Sequence, residues 1–324
     1  MTIVQKLAQQ VLQQNTRAIA RSISLIENET DSAQKESLLD ALHSYCGRAV
    51  VWGITGPPGA GKSSLLDRFI GRLRRLNKTV AVIAVDPSSP FSGGAILGDR
   101  LRMQKHATDD GVFIRSMASR GHLGGVAGAT ADAIKVFDTA GFDFVIIETI
   151  GVGQTEIEVM ELADLVLLVL VPGLGDEIQA LKAGVMEIGD IFIINKKDLD
   201  GANRLKREVE YVLGLQENCT AKSTPPVCMT SATRDEGIDD TLSVITDYLE
   251  KIRGNGQLAA RRKDRIEKEL RHIASAKIMA SAEHFLNIDS RLDSWVEDVF
   301  HKKVSPYKLL NRKIGEFLKE LHWQ

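Results

Sequence analysis

Between residues 49 and 252 the chain alternates short, unbroken apolar runs with amphipathic stretches. The runs are AVVWGIT, TVAVIAVD, VFIRSM, FDFVIIET, DLVLLVLV, DIFIINK and PPVCMTS. Val/Ile-rich runs without polar alternation mark strands buried on both faces. Strands of that kind, separated by helices, build a mostly parallel sheet with helices on each side. Residues 1–48 read as helical, with Ile3, Leu7 and Val11 on one stripe and a polar break near Asn28-Glu29-Thr30-Asp31. After Arg253-Gly254-Asn255-Gly256 the pattern changes to long helices rich in charge, with no further strand. The expected division is therefore an N-terminal helical extension (1–48), an α/β domain (49–252) and a C-terminal helical region (253–324). In that last region Phe285, Leu292, Trp295, Phe300, Leu309, Leu310, Ile314, Phe317 and Leu318 offer more apolar surface than a few short helices bury alone. A helical hairpin covered by the central domain or by a second copy of the chain is expected.

Composition narrows the setting without naming a function. The 324 residues are 44% hydrophobic and 26% charged, with a formal net charge of -2, which gives no general pull toward nucleic acid or anionic membrane. Three scattered cysteines do not form a disulfide framework. No apolar run reaches the ~18 residues that cross a bilayer. A reducing, cytoplasmic setting is expected.

Gly56-Pro57-Pro58-Gly59-Ala60-Gly61-Lys62-Ser63 matches G-x-x-x-x-G-K-S, between a strand and an amphipathic helix that opens with Ser64. There the glycines let backbone N–H groups turn toward phosphate, the lysine reaches the β/γ oxygens and the serine supplies a Mg²⁺ ligand. Asn195-Lys196-Lys197-Asp198 closes a later strand. A carboxylate at Asp198 accepts both N1–H and N2–H of guanine, whereas adenine would leave it desolvated and unpaired. Lys196 is expected along the base plane. Ser231-Ala232-Thr233, at the end of the next strand, fits a loop whose backbone N–H meets guanine O6. GTP is the expected nucleotide.

Three carboxylates stand at strand or loop ends between these motifs: Asp86, Asp99 and Glu148. One or two carboxylates beside phosphate oxygens and water suit the octahedral shell of Mg²⁺. Asp86 also suits a turn before Pro87, and Asp99 a helix N-cap. Glu148 opens ETIGVGQTE, where Gly151 and Gly153 allow the backbone to approach a γ-phosphate. Gln154 either orients the attacking water or is a polar first-turn residue. Two further Gly-rich loops are expected to be functional: Ser119–Gly128, and the stretch holding Pro172, Gly173, Gly175, Asp176, Gln179 and Lys182.

The segments GPPGAGKSS, AVDPSSPFSGGAILGDRLRM, SRGHLGGVAGAT, ETIGVGQTE, PGLGDEIQALKAG and NKKD together resemble the MeaB/ArgK family, from about residue 30 to the end. The resemblance implies a GTPase that chaperones adenosylcobalamin-dependent methylmalonyl-CoA mutase or a related acyl-CoA mutase, as a homodimer. It implies that Asp86, Asp99 and Glu148 surround Mg²⁺ and γ-phosphate, and that Asp176, Gln179 and Lys182 belong to a switch that signals to the mutase. It also implies slow hydrolysis that the partner accelerates. One departure is Leu174 within Gly173-Leu174-Gly175-Asp176. Other readings are an ATP-dependent transport-system kinase, a nickel-insertion metallochaperone GTPase, and a scaffold that binds GTP without turning it over.

Overall fold

The computed structural model describes residues 2–27, 32–86, 104–106, 108–118, 125–149, 151, 154–173, 185–220, 224–287 and 291–320. Each of the seven apolar runs is a strand: β1 (Val50–Thr55), β2 (Val80–Asp86), β3 (Val112–Ala118), β4 (Phe144–Thr149), β5 (Leu165–Leu170), β6 (Ile191–Ile194) and β7 (Val227–Met229). They form one sheet in the order β3-β2-β4-β1-β5-β6-β7, and every ladder is parallel. The strand order leaves β1 in opposite directions through β4 and β5. That puts a topological switch point, where α/β sheets bind ligands, beyond the carboxyl end of β1.

Helices cover both faces, as strands apolar on both sides require. On one face lie α1 (Ile3–Leu12), α2 (Thr16–Glu27), α3 (Ser32–His43), α5 (Gly125–Thr139) and α6 (Gln154–Met160), over Val51, Ile83, Val145 and Ile147. The other face packs Trp52, Ile54, Val82, Ile146 and Leu167 against α4 (Lys62–Arg75) and α9 (Ile238–Gly254). Between α6 and α9 come the single turn α7 (Val185–Ile188) and α8 (Ala202–Thr220), whose Leu205, Val209 and Leu213 pack with Phe192 and Ile194. The N-terminal helices thus share one core with the sheet. Val11 and Ile23 are both fully buried, each contributing about 1.5–3 kcal/mol by its removal from water.

The α1 stripe differs from expectation by one position. Val4, Leu7, Ala8 and Val11 face inward, while Ile3 is 71% exposed. Thr2 caps the helix, so Ile3 occupies its solvent-side first turn. A break at Gln13–Asn15, absent from the apolar pattern, comes from Gln14 at φ 60° and from Asn15 Oδ1, which accepts the Ala18 N–H at 3.0 Å.

The chain divides into two compact units, Met1–Lys263 and Asp264–Gln324. The division falls inside the long helix α10 (Gln257–Asn287), not at the Gly-Asn-Gly preceding it. In the second unit, α11 (Arg291–Phe300) and α12 (Pro306–Glu320) contribute to a small cluster of Phe285, Trp295 and Leu309. Val296, Phe300, Leu310 and Ile314 are exposed there. Among the described residues no helix is long and apolar enough to cross a membrane.

Carboxylates stitch the amino-terminal edge of the sheet. Asp138 accepts the N–H groups of Gly47, Arg48 and Ala49. Asp164 accepts the Val51 N–H at 3.0 Å, and Asp190 the Val166 N–H at 2.9 Å. Consecutive arginines of α10 grip the last two: Arg261 reaches Asp190 at 2.6 and 2.9 Å, and Arg262 reaches Asp164 at 2.6 and 3.0 Å. The carboxylate contact raises each guanidinium pKa. Burial, with Asp190 alongside, pushes the Tyr248 hydroxyl up to about 12. Arg262→Met should lower the unfolding free energy by about 3–5 kcal/mol, because it strips the guanidinium from a buried carboxylate. Urea unfolding measures the loss, and adding Asp164→Leu to the same chain should recover part of it.

Candidate functional site

The loop after β1 is shaped by contacts that admit only glycine at two places. Gly56 has φ 147°, and a Cβ there would lie 2.1 Å from the Val169 carbonyl oxygen. Gly61 has φ 83°, and its Cβ would lie 2.6 Å from Asn195 Nδ2. Between them the loop curls over Lys62, whose Nζ donates to the carbonyls of Gly56 at 2.6 Å and Pro57 at 3.1 Å. Lys62 and Ser63 begin α4 and are buried. A buried ammonium at a helix amino terminus makes a strongly anion-seeking corner.

Glu148, next to last in β4, lies beside this corner. Its Oε1 accepts the Ser63 hydroxyl at 2.6 Å, and the residue is 4% exposed. A hydroxyl and a carboxylate in contact, both buried and both hard oxygen donors, suit a divalent cation of the Mg²⁺ type. The Gly151 carbonyl accepts from Thr55 Oγ1 at 3.0 Å and from Thr149 Oγ1 at 3.2 Å. Strand-end threonines reaching forward to a loop carbonyl left no signal in the apolar runs. Asp99, Asp176, Gln179 and Lys182 lie outside the described residues, as do the side chains of Asp86 and Gln154.

The second centre is joined to the first. Asn195, 2% exposed, donates from Nδ2 to the Ala60 carbonyl at 2.9 Å. Its Oδ1 accepts the Thr230 hydroxyl and the Ala232 N–H, each at 3.2 Å. Lys196 follows at φ 56°, turning the chain back so that the Lys197 N–H meets the Thr230 carbonyl at 2.9 Å. Asp198 Oδ1 then accepts the Ser231 hydroxyl at 2.6 Å, with Thr233 Oγ1 3.3 Å from that same hydroxyl. The Ser231 hydrogen bond holds the Asp198 carboxyl below the usual carboxylate range, so Asp198 is an acceptor throughout the physiological range. The two motifs expected to grip phosphate and base are therefore tied by one amide.

Sequence reasoning missed two arginines of α4, to which no motif points. Arg68 Nε donates to the Ala232 carbonyl at 2.9 Å. Arg72 spans Asp235 (2.7 and 2.8 Å) and Asp239 (3.2 and 3.3 Å).

The family model described as methylmalonyl Co-A mutase-associated GTPase MeaB matches residues 19–285. The chain belongs to the MeaB family. It is 43% identical over 318 residues to a protein of Pyrococcus abyssi named a GTPase, covering 98% of this chain and 97% of that one. It is 40% identical over 253 residues to the GTPase ArgK of Escherichia coli K12, covering 76% of each. A mouse protein named methylmalonic aciduria type A homolog, mitochondrial, is 38% identical over 213 residues, 65% of this chain and 51% of that one. A solved structure titled LAO/AO transport system kinase superposes with TM-score 0.70 at 28% identity, covering 98% and 97% of the two chains. This MeaB-family member is thus a GTPase by family, with a P-loop fold.

Two outcomes follow. Asn195→Ala removes three buried hydrogen bonds and should cost about 2–4 kcal/mol of stability by denaturant unfolding. Arg72 holds the Asp235 carboxyl below its ordinary value. A depressed carboxyl stabilises the fold above its unfolded pKa and ceases to do so as pH falls through the folded one. The thermal midpoint of the native chain should exceed that of Arg72→Met by a constant margin from pH 8 to 5, and the margin should shrink progressively once the pH falls below about 4, the ordinary Asp value.

Proposed function

We propose that this MeaB-family GTPase is a Mg²⁺-dependent guanine-nucleotide switch. In this reading it gates delivery of adenosylcobalamin to methylmalonyl-CoA mutase, or a related acyl-CoA mutase, and protects that enzyme. The observation that carries the switch is the buried Ser63–Glu148 contact beside Lys62, joined through Asn195 to the Asp198–Ser231 pair. Support for the mutase comes from the matching family's description and from the name of the mouse relative.

The Gly56–Ser64 loop and helix start bind the phosphates, with Lys62 on the β/γ oxygens. Asp198 and the Ser231–Thr233 loop read guanine. Ser63, Asp86, Asp99 and Glu148 hold the cation directly or through water. When bound, Mg²⁺ neutralises charge on the phosphate oxygens as the γ-phosphoryl group leaves. Glu148, one methylene longer than Asp, exchanges its Ser63 partner for the cation's shell. Gln154 orients the attacking water, and Asp176, Gln179 and Lys182 report the nucleotide state to the mutase. The exposed apolar residues of α11 and α12 close a homodimer in the cytoplasm.

GDP should be displaced by GTP and not by ATP, and added mutase should raise GTP turnover. Lys62→Ala and Asp99→Ala should each lower stimulated turnover about 100-fold or more. Displacement of GDP by ATP as readily as by GTP would sink the guanine assignment. Mutase that neither co-purifies with the chain nor alters its turnover would sink the partner.

A further inference from the structure

The loop after β7 is fixed from three directions. It closes on itself through the Ser231 N–H to the Glu236 carbonyl at 3.0 Å and the reciprocal bond at 3.1 Å. Asn195 takes the N–H of Ala232. Arg68, from the helix that begins at the phosphate loop, takes the carbonyl of the same residue. Ala232 is 3% exposed, so this carbonyl has little access to water in place of Arg68.

The direction of that carbonyl matters for its neighbour. Among the described residues no peptide is cis, and in a planar trans peptide the C=O and the following N–H point opposite ways. With the Ala232 oxygen drawn to α4, the Thr233 N–H is directed away from α4. The Thr233 hydroxyl is linked through the Ser231 hydroxyl to the Asp198 carboxylate, which puts that carboxylate in the same loop cluster. A donor held beside a permanent carboxylate matches the edge of guanine, which presents a carbonyl oxygen next to its N–H groups. It opposes adenine, whose amino group would set donor against donor.

We propose that Arg68 is a positioning residue for guanine recognition: by holding the Ala232 carbonyl it aims the Thr233 N–H at O6 of the base. The proposal rests on the assignment of Ser231–Thr233 as the base-reading loop. Arg72 holds the loop further on, at Asp235, to which Arg68 adds only a longer ion pair at 3.7 Å, and at Asp239. Its bonds to Asp235 and Asp239 keep the far side of the loop on α4, so losing Arg68 alone tilts one peptide without releasing the loop.

The test is equilibrium binding of three nucleotides at fixed Mg²⁺ to the native chain, Arg68→Met and Arg68→Lys. GDP presents O6, N1–H and the 2-amino group. Inosine diphosphate keeps O6 and N1–H, and 2-aminopurine riboside diphosphate keeps the amino group without O6 or N1–H. Arg68→Met should weaken GDP and inosine diphosphate by the same factor, about tenfold, the worth of one well-aligned hydrogen bond. It should leave the 2-aminopurine nucleotide unchanged, and Arg68→Lys should recover part of the loss. A thermal midpoint without nucleotide close to that of the native chain verifies the fold. Equal weakening of all three nucleotides, or weakening of none, overturns the role of Arg68. A native chain that binds the 2-aminopurine nucleotide as tightly as GDP overturns the base-reading assignment itself, and the role of Arg68 with it.

Discussion

One buried amide holds the two halves of the site in register. The Asn195 side chain reaches the last turn of the phosphate loop with its nitrogen and the end of β7 with its oxygen. Three segments far apart in sequence therefore share one rigid body at the carboxyl edge of the sheet. The constraint runs backward as well. Gly61 has to be glycine partly because Asn195 fills the space a Cβ would need. The identity of a residue in the first motif is thus coupled to the identity of one in the second. A parallel sheet makes this possible, since all its strands end on the same side and bring their following loops together.

The opposite edge is organised by charge. Asp138, Asp164 and Asp190 each receive backbone N–H groups at the mouths of strands, and the last two also receive an arginine of α10. A buried carboxylate is costly unless its oxygens are all engaged. These engage both backbone and guanidinium, so they lock strand starts and helix start in one step. The carboxyl edge is arranged differently: Lys62 bonds to the loop carbonyls of Gly56 and Pro57, and Ser63 bonds to Glu148.

The seven strands were legible because burial on both faces writes itself as unbroken Val/Ile runs. The motifs expected to bind phosphate and base stand out in the sequence because the residue types and spacing of such motifs are dictated by backbone geometry and donor pattern. What stayed hidden depends on partners far along the chain. Arg68 and Arg72 sit in RFIGRLRRL, where Phe69, Ile70 and Leu73 are core positions and periodicity alone gives the arginines no partner. Their partners Ala232, Asp235 and Asp239 lie more than 160 positions away. Ile3 was misassigned because a hydrophobic stripe tolerates a shift of one residue, and the Thr2 cap settles which residue begins the helix. The turn at Gln14 has neither glycine nor proline to announce it.

The paired arginines of α10 bear on how the chain can be taken apart. Gly254-Asn255-Gly256 is where composition invites a cut between the α/β portion and the helical tail. A chain ended there would lose Arg261 and Arg262 and strip both buried carboxylates, Asp164 and Asp190, of their guanidinium partners. The smallest autonomous piece of this protein therefore runs past its own linker, to the far side of those two arginines.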